Sequence, residues 1–188
     1  DHWPRIAAID FGWDHPTAMV WCAVDNESET FYIYDCYRAS KASPMVHAQN
    51  IRMRPHFIPI AYPHDGNRRD SMGNPGLADQ YRNLGCNFLL QHFTNPPALG
   101  TDKGSNSIEE GLMAMLQSVE AGKFKVFNTL GDWFEEFRMY HRKDGKVVPI
   151  RDDLMSATRY AFQSQRFAIA GEDPSWTADV EYRNYGIV

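Results

Sequence analysis

The sequence has few cysteines, only Cys22, Cys36 and Cys86 among 188 residues, and none stands at a paired spacing. That argues against a disulfide framework and a Cys/His zinc site, and points to a reducing compartment. Long apolar runs are missing too. The longest, from Thr17 to Val24, falls far short of the ~20 residues that span a bilayer, so no membrane association is expected. No signal-like segment precedes the first strand. No G-x-x-x-x-G-K-[ST] run occurs, so a P-loop ATPase would have to lie outside these residues. There are no internal repeats or low-complexity tracts. Positive charge is in deficit, with 19 Lys and Arg against 24 Asp and Glu. That lowers the expectation of tight stand-alone nucleic-acid binding, which needs cations on phosphates. The chain lacks an initial Met and runs from a Trp-Pro pair straight into a strand, as a domain excised from a longer protein would.

What is present is ordinary for a globular domain, with 43% apolar and 23% charged residues. The length suits one domain with a real core. Residues 1–170 are expected to form it, and residues 171–188 a loosely attached tail. The scarce cations are grouped. Arg138, Arg142, Lys143, Lys146, Arg151 and Arg159 cluster late in the chain, and Arg68 and Arg69 follow Asp65 closely.

Three β-rich segments open the chain, over 5–11, 17–24 and 30–37, with Asp25, Asn26 and Glu27 turning between the last two. A helix over 44–54 and a strand over 57–62 follow. Then strands (87–91, 124–127) alternate with helices (76–84, 107–121, 130–140, 153–167). Lys143-Asp144-Gly145-Lys146 suits a tight primed hairpin turn. The helix over 107–121 presents Ile108, Leu112, Met115, Leu116 and Val119 on one face. Trp133, Phe134 and Phe137 are expected in the core. An antiparallel meander followed by alternating strands and helices predicts a mixed α/β sheet with helices on both faces, the element order of the ribonuclease H-like fold.

Three acids stand out by position: Asp10 near the end of the first strand, Asp65 at the end of the fourth and Asp153 at the start of the last helix. If the first and fourth strands are neighbours, Asp10 and Asp65 project side by side, and the last helix can bring Asp153 to them. Converging carboxylates repel one another unless cations lie between them. Oxygen donors with little His or Cys select Mg²⁺ or Mn²⁺. Two such ions roughly 4 Å apart can activate a water and stabilise the leaving oxygen of a cut phosphodiester. Each acid also has a plainer reading. Asp before Gly is often a turn residue, and Asp at a helix start is usually an N-cap, worth ~1 kcal/mol. Asp10, inside an apolar strand, is harder to explain structurally, because a buried charge needs a partner.

The stretches Ile6-Ala7-Ala8-Ile9-Asp10-Phe11-Gly12 with His15-Pro16-Thr17-Ala18, then His64-Asp65-Gly66, then 151–161 (RDDLMSATRYA) resemble the C-terminal nuclease domain of phage large terminase subunits. The likeness is greatest to those of short-tailed, headful-packaging phages. It implies a ribonuclease H-like, two-metal endonuclease using Mg²⁺ or Mn²⁺ that cuts concatemeric double-stranded DNA when packaging starts and ends. Asp10, Asp65 and Asp153 would be its ligands. It further implies a packaging ATPase domain on the N-terminal side, a small terminase subunit and a portal protein as partners, and the host-cell cytoplasm as location. Many relatives carry a second acid three residues into the last helix, where this chain has Ser156. The third ligand is therefore Asp153 alone or with help from Asp152, which fits the N-cap position better. A resolvase or transposase of the same chemistry, and a non-catalytic DNA- or portal-binding module, are the competing readings. Asp10-Phe11-Gly12 with Thr17 also resembles the first phosphate turn of sugar kinases, but the second glycine-rich turn is missing. Arg68, Arg69, Arg142, Lys143 and Lys146 are candidates for DNA backbone contact, although a solvated hairpin explains the last three equally well. His64, Asp14, His15 and Asp70 are candidates to stand behind the ligands. As loop residues they are more often merely exposed or, for Asp70, in a surface ion pair.

Overall fold

The computed structural model describes residues 2–68, 73, 75–97 and 104–171. Strands β1 (Arg5–Asp10), β2 (Thr17–Asp25) and β3 (Thr30–Ala39) form an antiparallel meander. The Asp25 carboxylate closes the turn between β2 and β3 by accepting the Glu27 N–H at 3.0 Å and the Ser28 hydroxyl at 2.6 Å. Strand β4 (Ile60–Ala61) lies parallel to β1, and β5 (Phe124–Val126) lies parallel to β3. The order across the sheet is β4-β1-β2-β3-β5.

Successive side chains on a strand point to opposite faces, and here both faces are covered. Ala7, Ile9, Met19 and Trp21 pack under α1 (Pro44–Ile51) and α2 (Leu77–Asn83). Ile6, Ala8, Val20 and Cys22 pack under α4 (Gly131–Met139) and α5 (Asp153–Gln163), with α3 (Ile108–Glu120) at the margin. Double coverage explains why β1 and β2 read as continuous apolar runs rather than alternating ones. The expected mixed sheet with helices on both faces is present.

Several boundaries differ from the sequence expectation. The strand expected over 57–62 pairs with β1 only at Ile60–Ala61. Pro59 and Pro63 flank it and lack the N–H that a longer ladder needs. The strand expected over 87–91 contributes only a bridge from Phe88 to Ile60. Helix α1 stops at Ile51, and α5 stops at Gln163, followed by a 3₁₀ turn over Gln165–Phe167. On α3, Ile108, Leu116 and Val119 are about half exposed rather than core. Its buried residue is Gly111, seated on the Arg159 side chain: a Cβ there would come within 2.8 Å of Arg159 Cδ. The helix rests on that long stem, so that Met115 packs against the core while Ile108, Leu116 and Val119 stay half exposed. Trp133 is buried and donates to Thr158 Oγ1 at 2.9 Å, whereas Phe137, expected in the core, stacks on the outside of Trp133 and stays half exposed. Strands β6 (Arg142–Lys143) and β7 (Lys146–Val147) form the expected hairpin. Asp144 and Gly145 both have positive φ, 51° and 76°, as a primed turn requires. Residues 172–188, expected as a tail, lie outside the described residues.

Helix α5 approaches β1 and β2 closely because Ala157 and Ala161, both fully buried, face the sheet. Ala161→Leu is expected to overpack this contact and cost about 1–3 kcal/mol in urea unfolding.

Candidate active site

Asp10 ends β1, and the turn after it is pinned locally. The Thr17 hydroxyl accepts the Gly12 N–H at 3.2 Å and donates to the Gly12 carbonyl at 2.9 Å. A Cβ on Gly12 would fall 2.4 Å from the His15 carbonyl oxygen, so only glycine allows this path. Parallel pairing of β1 with β4 carries the chain after β4 to the same end of the sheet. There Asp65 stands in a 3₁₀ turn, His64–Asn67, a few residues beyond the strand end rather than on it. The approach is close because Gly66 has no side chain: a Cβ would come within 2.7 Å of the Phe11 ring and 2.8 Å of the Tyr62 ring. The glycines of the two Asp-containing motifs thus let one turn nest against the other.

The third acid arrives from the other direction. Asp153, 8% exposed, is the first residue of α5, and Asp152 is its N-cap by position. The expected capping role is not performed, since the Asp152 side chain makes no cap hydrogen bond. Glu136 of α4 supplies the acceptor instead, its Oε1 taking the Met155 N–H at 3.1 Å. Arg38 of β3 lies 3.7 Å from Glu136 Oε2 and also pairs with Glu135 at 2.8 Å and Asp132 at 3.1 Å.

Electrostatics ties these acids together. Asp10 is pushed up from 3.8 to about 7, first by burial, then by the negative charges of Asp153, Asp65 and, more weakly, Asp152; a hydrogen bond from the Tyr160 hydroxyl pulls it back in part. Burial, and then the neighbouring Asp152, raises Asp153, while His15 lowers it. Burial also raises Asp152. Glu136 is pushed to about 7 by burial, against the pull of the Met155 and Leu154 amides. Among the described residues, no group of three or more Asp, Glu, His or Cys side chains is placed so that it could hold a metal ion as it stands. Asp10 feels the charges of Asp153, Asp65 and Asp152, and Asp153 that of Asp152.

A cleft of about 470 Å³ opens beside Asp153, lined among others by Asp14, His15, Arg38, Glu135 and Arg151. Asp14 and His15 are thus beside the acids. His64 is exposed and faces His92, with ring centres 6.4 Å apart. Arg68 is exposed after the 3₁₀ turn; Arg69 and Asp70 lie outside the described residues. On the hairpin, Lys143 and Lys146 are exposed, while Arg142 is held by Glu109 at 2.6 Å. Sequence reasoning did not find Tyr160, Arg38 or Glu136 as site residues. The i, i+3 spacing from Trp133 to Glu136 was a usable signal for the last, since it puts the acid on the buried face of an aromatic helix.

The raised Asp10 value has a stability consequence with a definite sign. The folded chain holds the Asp10 proton more tightly than the unfolded chain, so this contribution is full below pH 3.8 and lost as the pH rises through about 7. In metal-free buffer, Asp10→Asn should melt above the parent at pH 8. The gap should shrink steadily as the pH falls toward 4. A gap independent of pH would show that Asp10 is not under this charge stress.

Residues 7–165 match the family model described as a terminase RNaseH-like domain. The chain is 37% identical over 169 residues to the large terminase subunit of Salmonella phage P22, which covers 89% of this chain and 33% of that protein, so it spans about a third of its relative. It matches the solved P22 large terminase nuclease domain with a TM-score of 0.80 and 36% identity, covering 90% of this chain and 85% of that one. The large terminase nuclease domain of bacteriophage SPP1, solved with bound Mn, matches with a TM-score of 0.57 over 88% of this chain and 87% of that one; at 17% identity this is likeness of fold alone. A ribonuclease H-like sheet, acids gathered at one end of it and a family match over most of its length make this chain a member of the terminase RNaseH-like domain family.

Proposed function

We propose that the chain is the endonuclease of a viral DNA-packaging motor, hydrolysing double-stranded DNA with divalent metal ions bound by Asp10, Asp65 and Asp153. The observation that carries this is the charge stress on Asp10, which burial and two carboxylates from separate elements push to about 7. A protein gains nothing for its stability from such an arrangement, whereas a cation between the acids would relieve it. The donor set is all carboxylate, which suits Mg²⁺ or Mn²⁺. No three such side chains among the described residues are placed to hold an ion unaided, and Mg²⁺ in particular is commonly held by one or two carboxylates with waters and substrate phosphates completing the shell. The likeness to the P22 nuclease domain supports the activity, and the Mn in the SPP1 domain supports the class of metal.

In this reading Asp10, Asp65 and Asp153 would hold the ions, and Asp10 is the acid on which the charges of the other two bear. When bound, two such ions would activate the attacking water and stabilise the leaving oxygen. The protein's own part is to hold three like charges in register. Tyr160 orients Asp10 by a hydrogen bond, and His15 lies where it favours the ionised form of Asp153. Asp152 is a lesser ligand or none. Arg68, Lys143 and Lys146 are exposed cations placed to meet backbone phosphates, and Arg142 would first have to leave Glu109. In a full packaging motor the partners of this reading are an ATPase domain, a small terminase subunit and a portal protein. The acidic balance, and the absence among the described residues of a group placed to hold an ion unaided, suggest weak affinity for metal and DNA by the isolated domain, which would keep cutting dependent on the rest of the motor.

Supercoiled plasmid incubated with the protein in Mn²⁺ or Mg²⁺ is expected to be nicked and linearised, and EDTA to stop it. Asp10→Asn, Asp65→Asn and Asp153→Asn should each lose more than the ~10–100-fold typical of groups that only orient a ligand. Asp152→Asn should lose less than Asp153→Asn, and the reverse order would move the third ligand to Asp152. Folded protein that cuts under no metal would sink the proposal. Lys143→Ala with Lys146→Ala should weaken DNA binding at all sequences alike and flatten its salt dependence by roughly one phosphate contact per lysine.

A further inference from the structure

The first turn of a helix carries N–H groups without partners inside the helix. The usual answer is an Asp, Asn, Ser or Thr at the N-cap, whose side chain takes the second or third amide. Helix α5 has an aspartate at the N-cap and another directly after it, yet Asp152 makes no cap hydrogen bond. The amide it would normally take, that of Met155, is held by Glu136 from a different helix, and the Leu154 amide also acts on the Glu136 carboxylate. The Glu136 side chain is fully enclosed, so it reaches neither solvent nor a substrate. Its second oxygen carries no hydrogen bond and faces Arg38 at 3.7 Å, which links the cap to β3.

We propose that Glu136 is a positioning residue that caps α5 from outside and so sets the place of Asp153, the residue of the helix start that lines the cleft. This rests on the reading of Asp153 as a metal ligand. The backbone bonds of the Asp152 and Asp153 carboxylates are to their own amides, and a carboxylate that also capped the helix would have its rotamer set by the backbone rather than by the ligand. Lending the cap from α4 separates the two demands. A buried glutamate satisfies the helix, and Asp153 at the helix start is left to the cleft. The same contact fastens α4 to α5, and Arg38 extends it to the central sheet, so the height of Asp153 above the sheet is set by three elements rather than one.

The test joins a stability cycle in metal-free buffer to a metal titration. Urea unfolding is measured for the parent, Glu136→Ala, Asp152→Ala and the double variant. Asp152→Ala should change the unfolding constant of the parent by less than roughly twofold, since nothing is capped by it. In the Glu136→Ala background it should cost roughly fivefold, because Asp152 has swung back to cap the helix. In plasmid nicking, Glu136→Ala should raise the half-saturating Mn²⁺ concentration roughly tenfold while reaching a maximal rate near that of the parent. Glu136→Gln, whose amide oxygen can still accept the Met155 N–H, should restore the parental half-saturation and keep the Met155 amide slow to exchange. Additive stabilities, or an unchanged Mn²⁺ requirement in Glu136→Ala, would overturn the proposal. If Glu136→Ala does not fold, Glu136→Gln decides, and loss of Met155 protection or of parental half-saturation in that variant overturns it. A parent that never cuts would defeat the nuclease reading, and the stability cycle would still decide the cap.

Discussion

Like charges held close together are the constraint around which this structure is organised. Asp10, Asp65 and Asp153 come from a strand, a 3₁₀ turn and a helix start, and each raises the others' cost of ionisation or has its own raised. Nothing in their immediate surroundings neutralises them fully. Their gathering is therefore maintained by packing elsewhere: the doubly covered sheet beneath Asp10, the nesting of Gly66 on Phe11, and the seating of α5 on β1 and β2. The core supplies the free energy, and the site spends part of it on a geometry useful only when a cation or substrate arrives.

Helix α5 bears most of that burden. Nearly all its residues are buried, because it lies directly on β1 and β2 beneath α3 and α4. Ala157 and Ala161 let it lie close to the sheet, Thr158 receives the Trp133 N–H, and Phe162 meets Phe31 edge-on at 5.3 Å. Arg159 is buried with no ion pair among the described residues; it lies over the rings of Tyr160 and Phe93 at 4.8 and 5.3 Å. A buried cation without a carboxylate partner is costly in isolation. Here it sits in the negative field of the site, where it lowers Asp152 and so offsets some of the repulsion. The site's excess negative charge and the helix's buried positive charge are two halves of one balance.

The acidic total of the chain, a net charge of -5, is a poor guide to its surface near the site. The carboxylates that weigh on the total are partly those that would be neutralised by metal, and the cations Arg68, Lys143 and Lys146 stand on loops and a hairpin free to meet a phosphate backbone. Others are already spent. Arg38 and Arg151 share Glu135, and Arg142 holds Glu109, so a count of basic residues overstates the charge on offer.

Much of this was open to inspection in the linear chain. Apolar runs at β1 and β2, the Asp144-Gly145 turn, and aspartates at the ends of β1 and start of α5 follow from local chemistry: side-chain period, turn conformations and the oddity of a charge in an apolar strand. The linear chain also points to Asp65 at the end of a fourth strand, but flanking prolines shorten that strand to two paired residues and leave Asp65 in the 3₁₀ turn beyond it. Other features depend on contacts between segments far apart in the chain. Only the tertiary structure decided that α3 would ride on the Arg159 stem with Ile108, Leu116 and Val119 half exposed, that Phe137 would stay outside Trp133, and that Asp152 would leave its cap to Glu136. The physical reason is the same in each case. Periodicity and propensity report what a residue can do within its own element, whereas which amide a carboxylate accepts, or which face a helix buries, is settled by what another element brings to the same place.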